Sequence, residues 1–134
     1  VPPYLLNTTS ATTVIDLLRA AKTFFSDEGI STSNDLYLMG YSQGGIVTMA
    51  THHEIEKNYP NEFQVTASAP LAGAYDLVLT IDSILSRETY IEPVLIANLM
   101  YSYDYYYKWD RLDEIFKEPY ATEIPADCVR RRAL

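Results

Sequence analysis

The eleven residues Asp35 to Gly45, DLYLMGYSQGG, restrict this chain's fold more than any others. Asp35-Leu36-Tyr37-Leu38-Met39 is a compact apolar run, with the length and flanks of a strand covered on both faces. Gly40 to Gly45 is glycine-rich and reads as a tight turn. Ile46, Val47, Met49, Ala50 and His53 then recur at helical spacing as the buried side of a helix that ends near Asn58-Tyr59-Pro60. A buried strand that turns at once into a helix belongs to an α/β fold. Phe63 to Ala69 reads as a second strand, with Val65, Ala67 and Ala69 alternating against Gln64, Thr66 and Ser68. Strand, helix and strand form a βαβ unit, whose strands pair in parallel through a right-handed crossover.

A helix precedes this unit. Asn7 to Ser10 offer N-cap side chains, and Val14, Leu17, Leu18, Ala21, Phe24 and Phe25 share one face. Asp16, Arg19 and Lys22 fall largely on the other, and Gly29 closes the helix as C-cap. After Pro70 to Asp76 the pattern changes. Leu77 to Leu85, Ile91 to Tyr107 and Trp109 to Lys117 read as helices, the last with Asp110 as its cap. A boundary near residue 77 separates a core, 1–76, from a helical cap or lid segment, 77–134.

The turn carries Gly40-Tyr41-Ser42-Gln43-Gly44. By composition alone, Gly-x-Ser-x-Gly arises by chance in roughly 1 chain in 20 of this size. The strand before it and the helix after it are independent context, and they are what the motif requires. A serine hydroxyl is a weak nucleophile that must be exposed, oriented and given a base. A strained strand-to-helix turn meets the first two needs, and Gly40 and Gly44, with Gly45 beside them, let strand and helix pass closely. The helix start directs free amides, Gln43 N–H foremost, at a developing oxyanion. Otherwise the motif is a tight βα turn with an incidental serine.

GYSQGG after DLYLM, the preceding SATTVIDLLRAAKTFF and the following ASAPLAGAYDL resemble α/β-hydrolases of the bacterial secretory-lipase and esterase type. YSYDYYYKWDRLDEIFKEPYA is similar to the helical cap of that family, so the resemblance reaches about residue 125 and leaves out Cys128 to Leu134. It implies a partial α/β-hydrolase core, ester hydrolysis through an acyl-serine intermediate, Ser42 as nucleophile and Gln43 as an oxyanion amide. It also implies that strands and a second oxyanion loop precede this segment, and that the triad acid and histidine follow it. A secreted or periplasmic parent would fit the family; Val1-Pro2-Pro3 opens without the basic and apolar regions of a signal peptide.

The other triad members are hard to place. The only histidines are His52 and His53. Ten residues of helix set them on the order of 15 Å from Ser42, while a base must come within about 3 Å. They are packed or half-exposed helix residues, or His53 acts as a base in trans from a second chain. Asp76 caps the helix at Leu77, or serves as triad acid at the sheet edge where ligands bind. Tyr41, Tyr101 and Tyr105, with further tyrosines and Trp109, either line an ester pocket or pack as ordinary helix aromatics.

Composition excludes several classes. The net charge of −8 argues against a nucleic-acid partner, and Arg130-Arg131-Arg132 reads as a solvated tail. One cysteine, Cys128, permits no intrachain disulfide and no Cys/His metal cluster. No apolar run reaches membrane-spanning length, and neither cofactor nor metal is expected. Two strands do not make an independent parallel sheet, so a homo-oligomer is expected. The leading expectation is a serine-dependent carboxylic-ester hydrolase acting on small esters. Its rivals are a catalytically silent, self-associating hydrolase fragment and a helical interaction module with a vestigial turn.

Overall fold

A computed structural model describes residues 3–130 of the chain. Val1, Pro2 and the arginines at 131 and 132 lie outside the described residues, as do the side chains of Cys128 and Arg130. The elements in order are α1 (Asn7–Asp27), β1 (Leu36–Tyr41), α2 (Gln43–Asn58), β2 (Val65–Leu71), α3 (Leu77–Leu85), α4 (Pro93–Tyr107), α5 (Leu112–Ile115) and α6 (Tyr120–Arg130). They form two compact units: Leu5–Ile81, and residues 82 onward joined by the N-terminal residues before Leu5. The division falls within α3.

The first unit is a βαβ core. β1 and β2 pair in parallel as a two-stranded sheet, and α2 packs on both strands while α1 packs on α2. Ile15 of α1, Ile55 of α2 and Phe63 make the buried centre, with Leu18, Leu36, Tyr59 and Val65 packed around it. Burying side chains of this size contributes roughly 1.5–3 kcal/mol each.

Several sequence expectations shift by a face. On α1 the buried line is Ala11, Ile15 and Leu18, whereas Leu17 and Phe24 are exposed. The N-cap is Leu6, with no side-chain cap, because the candidate residues lie inside the helix. Thr12 and Thr13 hydroxyls donate instead to the Thr8 and Thr9 carbonyls, each at 2.9 Å. Arg19 and Lys22 do not face away from the core. The Arg19 guanidinium lies over the Tyr59 ring and donates to Glu62 at 2.7 Å, and the Lys22 ammonium sits 4.1 Å from the Phe63 ring centroid. Their aliphatic stems cover apolar surface while the charges reach solvent. The C-terminus is as expected: Gly29, at φ +67°, donates to Ser26 O, and Ile30 N–H reaches back to Phe25 O, the paired bonds of a Schellman cap.

β1 is not covered on both faces. Leu36, Leu38 and Gly40 face α2, while Tyr37, Met39 and Tyr41 are exposed on the other side. In β2 the alternation breaks at a bulge, where Leu36 pairs with Val65 but Tyr37 pairs with Ala67. The extra residue, Thr66, turns its hydroxyl to accept the Leu36 N–H at 3.1 Å. Past the bulge Ser68 and Pro70 are the half-buried positions, and Ala67 and Ala69 are exposed. A single inserted residue exchanges the two faces. In α2 the inward line is Thr48, Thr51 and Ile55; Met49 and His53 are exposed.

In the second unit Leu99, Tyr101, Ser102 and Asp104 of α4 are buried. Asp104 Oδ1 accepts the Arg111 N–H at 2.8 Å, and Ser102 Oγ accepts the Tyr4 N–H at 2.9 Å. Tyr103, Tyr107 and Trp109 form an aromatic cluster, Tyr107 and Trp109 stacked at 5.8 Å between centroids. Where a helix over Trp109 to Lys117 is expected, α5 spans only Leu112–Ile115, because Lys108 and Asp110 both adopt left-handed backbone. α6 has no counterpart in the sequence reading.

Candidate active site

β1 runs into α2 through one residue, Ser42, at φ +56° and ψ −117°. A non-glycine residue in the left-handed half of backbone space costs on the order of 1–3 kcal/mol and persists only where its surroundings over-determine it. Here they do. Ser42 N–H donates to the Leu71 carbonyl of β2 at 2.9 Å, and Ser42 O accepts from Gly45 at 3.0 Å and Ile46 at 3.3 Å. The strained residue is held from the sheet on one side and from the first turn of α2 on the other. Its side chain is exposed, and no hydrogen bond engages the hydroxyl among the described residues.

The turn's glycines divide their work differently from the sequence reading. A Cβ on Gly40 would overlap the Gly44 carbonyl and come within 2.7 Å of Thr48 Oγ1. A Cβ on Gly45 would overlap the Leu71 carbonyl and come within 2.9 Å of the Tyr75 hydroxyl. Gly44 faces open space, with nothing within 4 Å. The close approach of strand and helix therefore rests on Gly40 and Gly45. Gln43 and Gly44 open α2, where N–H groups have no intrahelical carbonyl to meet. These amides and the positive end of the helix dipole lie next to the Ser42 hydroxyl in the chain, an arrangement suited to an oxyanion.

The other named residues lie elsewhere. His52 is half-buried. Its Nδ1 shares a 2.8 Å hydrogen bond with Ser68 Oγ, and its Nε2 lies 3.3 Å from Glu56 one turn on. His53 is exposed on α2 and lines a cavity of about 540 Å³ with Leu5, Ile46, Met49, Lys57 and Tyr75. Neither imidazole is hydrogen-bonded to Ser42. Asp76 caps α3: its Oδ1 accepts the Leu79 N–H at 2.9 Å, and its carbonyl accepts the Thr80 hydroxyl at 2.6 Å. Tyr41 is exposed at the end of β1. Tyr101 is buried within the second unit, and Tyr105 is exposed there with the Lys108 ammonium 4.7 Å from its ring centroid. Among the described residues no group of three or more acidic, His or Cys side chains could hold a metal ion, and no helix is long and apolar enough to cross a membrane.

Sequence reasoning missed Tyr75. Its ring lies against Gly73 and its hydroxyl against Gly45, so it packs the loop after β2 onto the turn. The signal was present in two glycines, Gly45 and Gly73, on either side of β2, each making room for the same ring.

This geometry has close counterparts among solved structures. The protein lpg1103 of Legionella pneumophila, provisionally assigned as a hydrolase, is 34% identical over 92% of this chain, with a TM-score of 0.85. The rice cell wall degrading esterase LipA of Xanthomonas oryzae is 32% identical over 91% of it, with a TM-score of 0.84. A ligand-bound form of that esterase matches equally well, at 31% identity and TM-score 0.84. The chain spans about a third of the length of these proteins: 33% of each is covered. No protein-family profile matches the chain, and no curated protein matches it. The chain thus has a partial α/β fold similar to one third of a hydrolase or esterase-like protein.

Proposed function

We propose that this chain is the nucleophile-bearing part of a serine-dependent carboxylic-ester hydrolase. The observation that carries the reading is Ser42: exposed, in left-handed backbone, at the junction of a parallel strand and a helix start. Its Oγ attacks the ester carbonyl carbon while a base takes the hydroxyl proton. The carbonyl oxygen becomes an oxyanion against the Gln43 N–H. Collapse of that intermediate expels the alcohol and leaves an acyl-serine, which water then hydrolyses by the same route.

The base comes from outside the immediate surroundings of Ser42. His53 of a second chain is the residue of the right chemistry that is exposed and uncommitted, whereas His52 is engaged with Ser68 and Glu56. Asp76 is the acid in this reading, with one carboxylate oxygen on the Leu79 amide and the other left for an imidazole. Tyr41, exposed at the end of β1 next to Ser42 in the chain, belongs to the substrate side. The substrate is a small ester.

A second reading is a catalytically silent, self-associating part of a hydrolase. The commitment of His52 to β2 favours it.

Hydrolysis of a short-chain p-nitrophenyl ester separates the two. The first reading predicts turnover lost in Ser42→Ala and reduced at least about 100-fold in His53→Ala, the scale of a removed general base. Turnover that survives Ser42→Ala contradicts it, and no turnover in the unaltered chain favours the silent reading.

A further inference from the structure

Where the chain leaves β2 it packs against the turn at Ser42 more tightly than strand pairing requires. Tyr41 and Leu71 are the last paired residues of the sheet. One residue further, the Ser42 N–H donates to the Leu71 carbonyl at 2.9 Å. The same carbonyl lies against the first turn of α2, where a Cβ on Gly45 would stand 2.4 Å from its oxygen and 3.1 Å from its carbon. The Leu71 peptide group thus meets both the amide of the strained residue and the helix turn that follows it.

The Tyr75 side chain backs that peptide group. Ala72, the residue after Leu71, is left-handed at φ +50°, so the chain turns sharply as it leaves the strand. Tyr75 then folds back over the turn. A Cβ on Gly73 would stand 2.6 Å from Tyr75 Cε1 and 2.7 Å from Cζ, and one on Gly45 would stand 2.9 Å from the Tyr75 hydroxyl. The two glycines belong to different elements, the loop after β2 and the first turn of α2. The hydroxyl end of one ring fills the space that both leave. Left-handed backbone outside glycine persists only where its surroundings over-determine it. This ring closes the loop that carries the Leu71 carbonyl onto the helix that begins after Ser42.

We propose that Tyr75 is a positioning residue for Ser42. Wedged between Gly45 and Gly73, its ring keeps the Leu71 carbonyl on the Ser42 N–H. It thereby holds the backbone angle that presents the hydroxyl beside the Gln43 amide. Tyr75 touches no reacting atom; it acts through Leu71 and Gly45. The ring does this by packing, because its close approaches at both sites are to glycine carbons, which accept no hydrogen bond. The proposal rests on the reading of Ser42 as nucleophile, but the grip on the backbone can be measured without any chemistry at that hydroxyl.

Amide hydrogen exchange and fluorophosphonate labelling of the full chain test it together. In Tyr75→Ala the Ser42 amide exchanges at least about tenfold faster, as a local opening. The Phe63 amide, bonded to Tyr59 O just past the end of α2, keeps its rate. Labelling of Ser42 slows at least about tenfold, the scale expected when a nucleophile loses its alignment. Tyr75→Phe, which keeps the ring and removes one atom, recovers most of both losses. Gly73→Ala sets a Cβ where the ring now lies, with Tyr75 still in the chain. It gives the same two changes and decides the matter if Tyr75→Ala does not fold. Unchanged exchange at Ser42, an unchanged labelling rate, exchange raised equally at Phe63, or a Tyr75→Phe no better than Tyr75→Ala overturns the proposal. If the unaltered chain takes no label, the nucleophile reading fails, and exchange at Ser42 alone still decides whether Tyr75 holds the turn.

Discussion

At Ser42 the chain accepts a backbone conformation that most residues avoid, and its neighbours hold it there. Gly40 and Gly45 are where the main chain of one element meets that of another, so a methyl group has no room. Gly40→Ala and Gly45→Ala should each destabilise by about 1–3 kcal/mol, the cost of overpacking. Gly44→Ala should not. It adds a Cβ into open space in the first turn of a helix, where alanine is favoured over glycine by roughly 0.5–1 kcal/mol. Chemical denaturation of the three variants checks this, and equal losses at all three would contradict the division of roles. The motif was legible in the sequence because strand, turn and helix signals coincided there. Which glycine mattered was not, because Gly-x-Ser-x-Gly-Gly leaves the helix phase open by one residue. The Tyr75 contact was marked only by the two glycines that make room for its ring, because it joins residues brought together only by the crossover.

At the scale of elements, capping and an ion pair link segments that hydrophobic periodicity cannot order. Asp76 holds the start of α3 through the Leu79 amide. Asp76→Ala should cost about 1 kcal/mol, whereas Asp76→Asn should keep the cap and most of the stability. Activity that falls in Asp76→Asn without loss of thermal stability would mark the negative charge itself as contributing to the chemistry. Arg19 ties α1 to the loop after α2, and its hydrogen bond holds the Glu62 carboxyl below the ordinary value of 4.5. A lowered folded value means the pair stabilises above that ordinary value. The contribution is lost as pH falls through the lowered one. Both partners are well exposed, so the effect is small. Glu62→Gln should lower the thermal midpoint at neutral pH, with the difference closing in acid; a difference that grows in acid would contradict the sign. The order of elements through α4 was readable from periodicity and breakers. Their faces were read less well, because Thr residues spaced on α2 point inward, long basic side chains on α1 cover apolar rings, and the Thr66 bulge reverses β2.

As a whole, the chain carries one third of a larger architecture's length in a unit whose sheet has two strands. A strand exposed on one face contradicts the expectation of a doubly covered sheet. That expectation came from the apolar run itself, which is equally apolar on both sides of β1: Leu36 and Leu38 inward, Tyr37 and Met39 outward. The sequence thus records a face built for burial, and the βαβ unit alone does not bury it. The proposed chemistry rests on a single hydroxyl, that of Ser42. Intact-protein mass spectrometry after exposure to a fluorophosphonate, followed by peptide mapping, reads it directly. One stoichiometric adduct, on Ser42 and absent from Ser42→Ala, is the predicted result. An unmodified chain, or an adduct on Ser68 or another hydroxyl, would contradict the account.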